Sequence, residues 1–246
     1  MGNTYCLSLK RKSTDSISAN MASSKFSAEI IEAAGKHTST LIFLHGLGDT
    51  GSGWAMNLKH YVPKSCKVIC PHANTRPVTL NGGAFMPSWF DIIGLTPDSP
   101  QDEAGIKQAS KELNNIVNKE IENGIPANKI AIGGFSQGGA VALFNALSGP
   151  ISKYACVIAL STWLPLHSSF KNDPSILKID KNVPVLQCHG QMDPLVPIQM
   201  GQITNQFLRI LGLSEVQFKI YPYMDHSSCD EEMQDLSKFL KTVLSE

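Results

Sequence analysis

A serine held between glycines, Gly134-Phe135-Ser136-Gln137-Gly138, is the group in this chain best suited to covalent chemistry. A serine hydroxyl is a weak nucleophile at neutral pH. It needs a histidine to take its proton and a carboxylate to hold that histidine in one tautomer. With those partners the chemistry is acyl transfer through a covalent intermediate. Histidines stand at positions 37, 45, 60, 72, 167, 189 and 226, and only His167, His189 and His226 follow Ser136. The competing reading of the glycines is a turn that cradles phosphate at a helix N-terminus. No Walker lysine accompanies the pattern and no GxGxxG follows the first strand-like run, which weakens a nucleotide site.

The elements that must position these residues alternate in kind. β-Branched and apolar runs predict strands at 40–45, 67–70, 130–135, 155–160, 185–189 and 216–221. Between 104 and 122, Ile106, Ala109, Leu113, Ile116, Val117 and Ile121 recur at three- and four-residue steps, the stripe of an amphipathic helix. Asn123-Gly124 supplies its stop, with Pro126 beyond. Further helices are expected at 137–148, 198–211 and 230–244, the last with Met233, Leu236, Phe239, Leu240 and Val243 on one face. Continuously apolar strands separated by helices argue for a mostly parallel central sheet covered by helices on both faces, an α/β protein.

Ser136 then falls between a strand and a helix, the context of the nucleophile elbow in α/β-hydrolases, where glycines make room for a tight, strained turn. In such enzymes the chain order is serine, acid, histidine. Asp193 sits just past the strand at 185–189, and His226 just past the strand at 216–221. Sites of open parallel sheets lie at those carboxyl ends. With Asp193 as the acid, only His226 remains downstream as the base. Asp193 beside Pro194 also fits a turn or capping aspartate, and His226 before Ser227-Ser228 fits a loop histidine; both readings stay open at this point. Asp225 is a poorer acid, because adjacency to His226 leaves bad geometry for accepting a proton from its ring.

Acyl transfer also requires donors aimed at the carbonyl oxygen as it becomes negative. Leu44-His45-Gly46-Leu47-Gly48-Asp49 follows a strand in the manner of an HGGG-type loop, so the N–H groups of Leu47 and Gln137 are the candidate donors, with His45 structural. Phe85, Met86, Trp89, Phe90, Ile92, Ile93, Leu95, Trp163, Leu164 and Leu166 fall in loops, where they either line a channel for an acyl chain or belong to the core.

Composition bounds the remaining classes. The 246 residues are 42% hydrophobic and 17% charged, suited to one globular catalytic domain over 28–246, preceded by a Ser-rich stretch, 1–27, expected to be a flexible tail. Acidic and basic residues balance at 21 each, so no overall field attracts nucleic acid. No stretch approaches the roughly twenty apolar residues of a membrane span. Of the six cysteines, Cys156 and Cys188 lie in apolar runs, and no signal-peptide core precedes them, which places the protein in the reducing cytoplasm with free thiols.

Longer blocks carry a closer resemblance. Phe-Leu-His-Gly-Leu-Gly-Asp-Thr-Gly from 43, Pro-Ser-Trp-Phe-Asp-Ile-Ile-Gly-Leu from 87, Gly-Gly-Phe-Ser-Gln-Gly-Gly-Ala from 133, Gln-Cys-His-Gly from 187 and His-Ser-Ser-Cys from 226 resemble the acyl-protein thioesterases, lysophospholipase-like carboxylesterases, over residues 38–244. The resemblance implies an α/β-hydrolase fold and removal of palmitoyl groups from protein cysteines, with S-acylated proteins and lysolipids as substrates and neither metal nor cofactor. It puts Ser136, Asp193 and His226 at the triad, Leu47 and Gln137 at the oxyanion site, and Leu47, Ile92, Ile93, Leu95, Trp163 and Leu195 along an acyl channel. Thr162 stands where relatives often carry cysteine. Gly2 and Cys6, with Lys10, Arg11 and Lys12, suggest a lipidated N-terminus and reversible membrane association; an unmodified tail, or a start at Met21, competes with that expectation. The rival enzyme reading is a lysophospholipase or small-ester hydrolase, and the rival of another class is a non-catalytic acyl-chain binding module.

Overall fold

Alternate residues of the apolar strands face opposite sides, and both sides are buried. The computed structural model describes residues 27–96 and 98–244. In strand β2 (Ser39–Leu44), preceded by β1 (Ala28–Ile31), Ile42 and Leu44 pack into one apolar layer while Leu41 and Phe43 pack into the other. The same alternation sorts β6 (Ile130–Phe135) and β7 (Cys156–Leu160), which is why these strands read as unbroken hydrophobic runs. Ahead of them come helix α1 (Gly51–Leu58), β3 (Cys66–Pro71), the ribbon β4 (Thr75–Val78) and β5 (Ala84–Pro87), and helix α2 (Glu103–Glu122). After β6 follow α3 (Gln137–Ser148), and after β7 the short α4 (His167–Asn172), β8 (Val185–Gly190), α5 (Ile198–Ile210), β9 (Val216–Tyr221) and α6 (Asp230–Val243).

The main sheet has seven strands in the order β1-β3-β2-β6-β7-β8-β9, all parallel except β1, which runs antiparallel to β3. Helices α2, α3 and α5 supply one apolar layer, and α1 and α6 the other. The α2 stripe buries Ile106, Ala109, Leu113, Ile116 and Val117, each large member stabilising the fold by about 1.5–3 kcal/mol. Ile121, the last residue of that stripe, is exposed because it lies in the final turn, past the sheet. The helix starts on Asp102, whose carboxylate accepts the Gly105 N–H at 2.9 Å, and ends where Gly124 takes φ 96°. The tail expected at 1–27, with Gly2, Cys6 and the basic run, lies outside the described residues except for Ser27. Among the described residues no helix is long and apolar enough to cross a membrane.

One acid in α6 makes stability depend on pH. Glu232 is fully buried in the first turn, and neither carboxyl oxygen has a hydrogen-bond partner among the described residues. Burial pushes its pKa up to about 8 from an ordinary 4.5. The folded state therefore holds this proton more tightly than the unfolded chain. The associated stability is fully present below about pH 4.5 and is lost as pH rises through about 8. Glu232→Gln keeps the shape and never ionises, so its thermal stability should stay level where the native protein weakens, the gap reaching on the order of 2–4 kcal/mol by pH 9. Parallel melting curves for the two proteins between pH 6 and 9 would refute this account.

Candidate active site

Because β2, β6, β8 and β9 run parallel, the loops that follow them gather at one edge of the sheet. Ser136 occupies the one-residue turn between β6 and α3 at φ 51° and ψ −120°, a conformation unfavourable for a residue with a Cβ. The glycines on either side permit it. A Cβ on Gly134 would sit 2.5 Å from the Gly138 carbonyl carbon, and one on Gly138 would overlap the carbonyl oxygens of Leu44 and His45. Strand end and helix start thus meet backbone to backbone, and Ser136 is lifted over the sheet edge.

The hydroxyl of Ser136 lies 2.9 Å from His226 Nε2, and His226 Nδ1 lies 2.7 Å from Asp193 Oδ2. Asp193 is 6% exposed, and its other oxygen, Oδ1, accepts the N–H groups of Leu195 at 2.9 Å and Val196 at 2.8 Å. Burial opposes its charge, but the His226 hydrogen bond and the two backbone donors outweigh it and hold the carboxyl below the usual carboxylate range. An ionised Asp193 fixes the proton of His226 on Nδ1, which leaves Nε2 free to accept from the serine.

The other two downstream histidines take different places. His189 is fully buried, its Nε2–H donates to the Val196 carbonyl at 2.8 Å, and burial lowers its pKa, so it braces the turn around Asp193 as a neutral ring. His167 packs edge-on against Phe207 and does not line the cleft at Ser136. His45, expected to be structural, is a buried neutral ring whose Nδ1–H donates to Gly46 O at 2.7 Å and whose Nε2 accepts the Ala73 N–H at 3.1 Å.

Leu47 and Gln137, the candidate oxyanion donors, each keep a backbone N–H that no protein acceptor among the described residues takes. Gln137 is the first residue of α3, so its N–H has no partner within the helix. Leu47 lines the same cleft as Ser136, and no protein acceptor among the described residues takes its N–H. Side chains fix both loops. Gln137 Oε1 accepts the Trp89 N–H at 3.0 Å, and its Nε2 donates to Ser88 Oγ and Phe90 O at 2.9 and 2.7 Å. Trp89 Nε1 in turn donates to His45 O at 2.8 Å.

A cleft of about 340 Å³ opens over Ser136 and His226. Leu47, Ile92, Leu95, Trp163 and Leu195 line it as expected, whereas Ile93 does not, because its neighbour Ile92 points inward and Ile93 is left 39% exposed. Leu80, Asn81 and Met86, at and around the β4–β5 ribbon, also line it. Of these only Met86 stood out in the sequence, as one of many loop hydrophobes. Thr162 was legible only as a departure, yet its hydroxyl donates to the Ser136 carbonyl at 2.6 Å and so braces the strained turn. Nothing in its spacing marks that role.

A serine on a strand-to-helix turn at the carboxyl edge of a mostly parallel, doubly covered sheet defines the α/β-hydrolase class. Within that class the chain belongs to the phospholipase/carboxylesterase family, whose profile matches residues 26–244. Acyl-protein thioesterase 1 of Neurospora crassa is 40% identical over 220 residues, covering 86% of this chain and 89% of the relative. The protein of that name from Cryptococcus neoformans is 41% identical over 226 residues, 85% of this chain and 93% of its own. The crystal structure of Zea mays acyl-protein thioesterase 2 superposes with a TM-score of 0.81 at 32% identity, covering 89% of this chain and all of that one.

Proposed function

We propose that this enzyme hydrolyses S-acyl thioesters on protein cysteines, with Ser136 as nucleophile, His226 as general base and Asp193 as the residue that orients it. The observation that carries the reading is the unbroken hydrogen-bonded series Asp193, His226, Ser136 at the floor of an apolar cleft. Ser136 Oγ attacks the thioester carbonyl while His226 Nε2 takes its proton. Leu47 and Gln137 N–H groups steady the oxyanion, and the sulfur leaves with the proton from His226. A water then repeats the attack on the acyl-serine, passing its proton to His226, and the fatty acid is released with Ser136 restored. Ile92, Leu95, Trp163 and Leu195 would hold the acyl chain, since an apolar wall with few polar groups suits it.

The names of the relatives favour thioesters, while the family description names phospholipases and carboxylesterases, which leaves lysolipid or small-ester hydrolysis as the second reading. The two are separated by kcat/KM for an S-palmitoyl peptide against that for a lysophospholipid, because specificity is a ratio of those values. An advantage of about tenfold or more for the peptide is expected, and the reverse order would make lysolipid hydrolysis the main activity. A single catalytic domain over 28–246 is supported by the two apolar layers that share one sheet. A cytoplasmic setting is supported by Cys66, Cys70, Cys156, Cys188 and Cys229, all unpaired, the first four buried thiols whose pKa values burial raises. Reversible membrane contact through an acylated Cys6 is supported only by the basic residues that follow it in the sequence.

A further inference from the structure

On the α1 side of His226 lies a second concavity of about 330 Å³, walled by Asp49, Trp54, Asn57, Phe135, His226 and Ser227 among others. It shares Asp49, Phe135 and His226 with the cleft over Ser136, so these three residues form the ridge between the two. A leaving group must meet His226 Nε2 to receive its proton. With the acyl chain placed in the cleft as proposed above, the thiol-bearing leaving group is directed from His226 across the ridge toward the second concavity.

The chemistry there differs from that of the cleft. Asp49 is exposed, and its Oδ1 accepts the Thr50 N–H at 2.7 Å, which leaves Oδ2 available to a ligand. Phe135 stands between Trp54 and His226, with ring centroids 5.4 and 4.8 Å away, so aromatic groups back the space beside the carboxylate. Asn57 adds an amide oxygen as acceptor. A carboxylate and an amide acceptor beside an apolar wall together hold a guanidinium or ammonium group. The wall segments 46–58 and 221–231 contain no lysine or arginine that would occupy that place.

We infer that this concavity is the leaving-group subsite and that it selects S-acyl peptides carrying arginine or lysine near the acylated cysteine, with Asp49 pairing to that cation. The inference rests on the thioesterase reading above. Three S-palmitoyl peptides test it, identical except that two residues flanking the cysteine are arginine, the neutral isostere citrulline, or glutamate. The native enzyme should favour the arginine peptide over the citrulline peptide by about fivefold in kcat/KM, the size expected of a partly exposed, charge-assisted ion pair. Asp49→Asn keeps the acceptor for Thr50 N–H and should bring that ratio to within about twofold, and Asp49→Lys should turn the preference toward the glutamate peptide. Equal turnover of the arginine and citrulline peptides by the native enzyme would overturn the subsite while leaving the thioesterase reading standing. A preference that survives in Asp49→Asn would remove Asp49 from it. Failure to cleave any of the three would bring down the thioesterase reading and this inference with it.

Discussion

Ser136→Ala is expected to lower kcat by about 10⁵–10⁶-fold and to abolish covalent labelling by a fluorophosphonate probe. The loss is large because the hydroxyl supplies the bond-forming atom, and no neighbouring group in the cleft replaces it. The fold should survive. The Ser136 side chain makes no capping hydrogen bond to α3, and the one bond of its Oγ is to His226. The turn itself is held by backbone: Ser136 N–H donates to Leu160 O at 2.9 Å, and its carbonyl accepts the Ala140 N–H and the Thr162 hydroxyl. Alanine tolerates the same contacts, so the melting temperature should move by no more than a few degrees. Measured turnover and labelling, with folding checked by circular dichroism, decide the point. A variant that still labels at full stoichiometry would move the nucleophile elsewhere.

The parallel core was legible because its strands are buried on both faces and therefore written almost without polar interruption. Elements that lack that signature went unseen. Strand β1 is four residues at the sheet edge, mostly half-buried, too short for a period to show. Helix α1 begins Gly51-Ser52-Gly53, and glycine disfavours a helix interior by about 1 kcal/mol. It forms because Trp54, Ala55 and Leu58 pack on the sheet, and because Gly51 lies against the Cys70 carbonyl, where a Cβ would collide. The β4–β5 ribbon carries Pro77 in one strand and Pro87 in the other, residues that argue against a strand within a sheet but are tolerated in an exposed two-stranded ribbon. Missing that ribbon hid Leu80 and Asn81, and with them one wall of the cleft.

The meeting of Ser136, Asp193 and His226 was legible for a different reason. Chain order and the position of each residue after a parallel strand both constrain it, and parallel strands carry their successors to one edge whatever the loop sequences are. Side-chain bracing has no such constraint. That Gln137 pins residues 88–90 through its amide, or that His189 secures the Val196 carbonyl, depends on loops meeting across 47 to 49 and 7 positions, and single residue types do not announce it.

Asp193→Asn should cost about 10⁴-fold in kcat while leaving the protein folded, and the geometry explains why an isosteric change does so much. Oδ1 of Asp193 accepts two backbone N–H groups, from Leu195 and Val196. In asparagine only the carbonyl oxygen can serve those donors, so the amide nitrogen must take the Oδ2 position facing His226 Nδ1. Two N–H groups cannot share that contact. The ring moves its proton to Nε2, where it donates toward Ser136 and can no longer accept from it. Asp193→Ala removes the carboxylate but leaves Nδ1 free to keep its proton, so it should retain more activity than Asp193→Asn at the same pH, although it also releases the turn at 195–196. That ordering separates an orienting role from simple loss of charge, since loss of charge alone predicts equal damage from both substitutions. Steady-state kcat for the two variants, each normalised to folded protein, gives the comparison directly. Equal activity of the two variants would show that the carboxylate acts through its charge and not by fixing the tautomer.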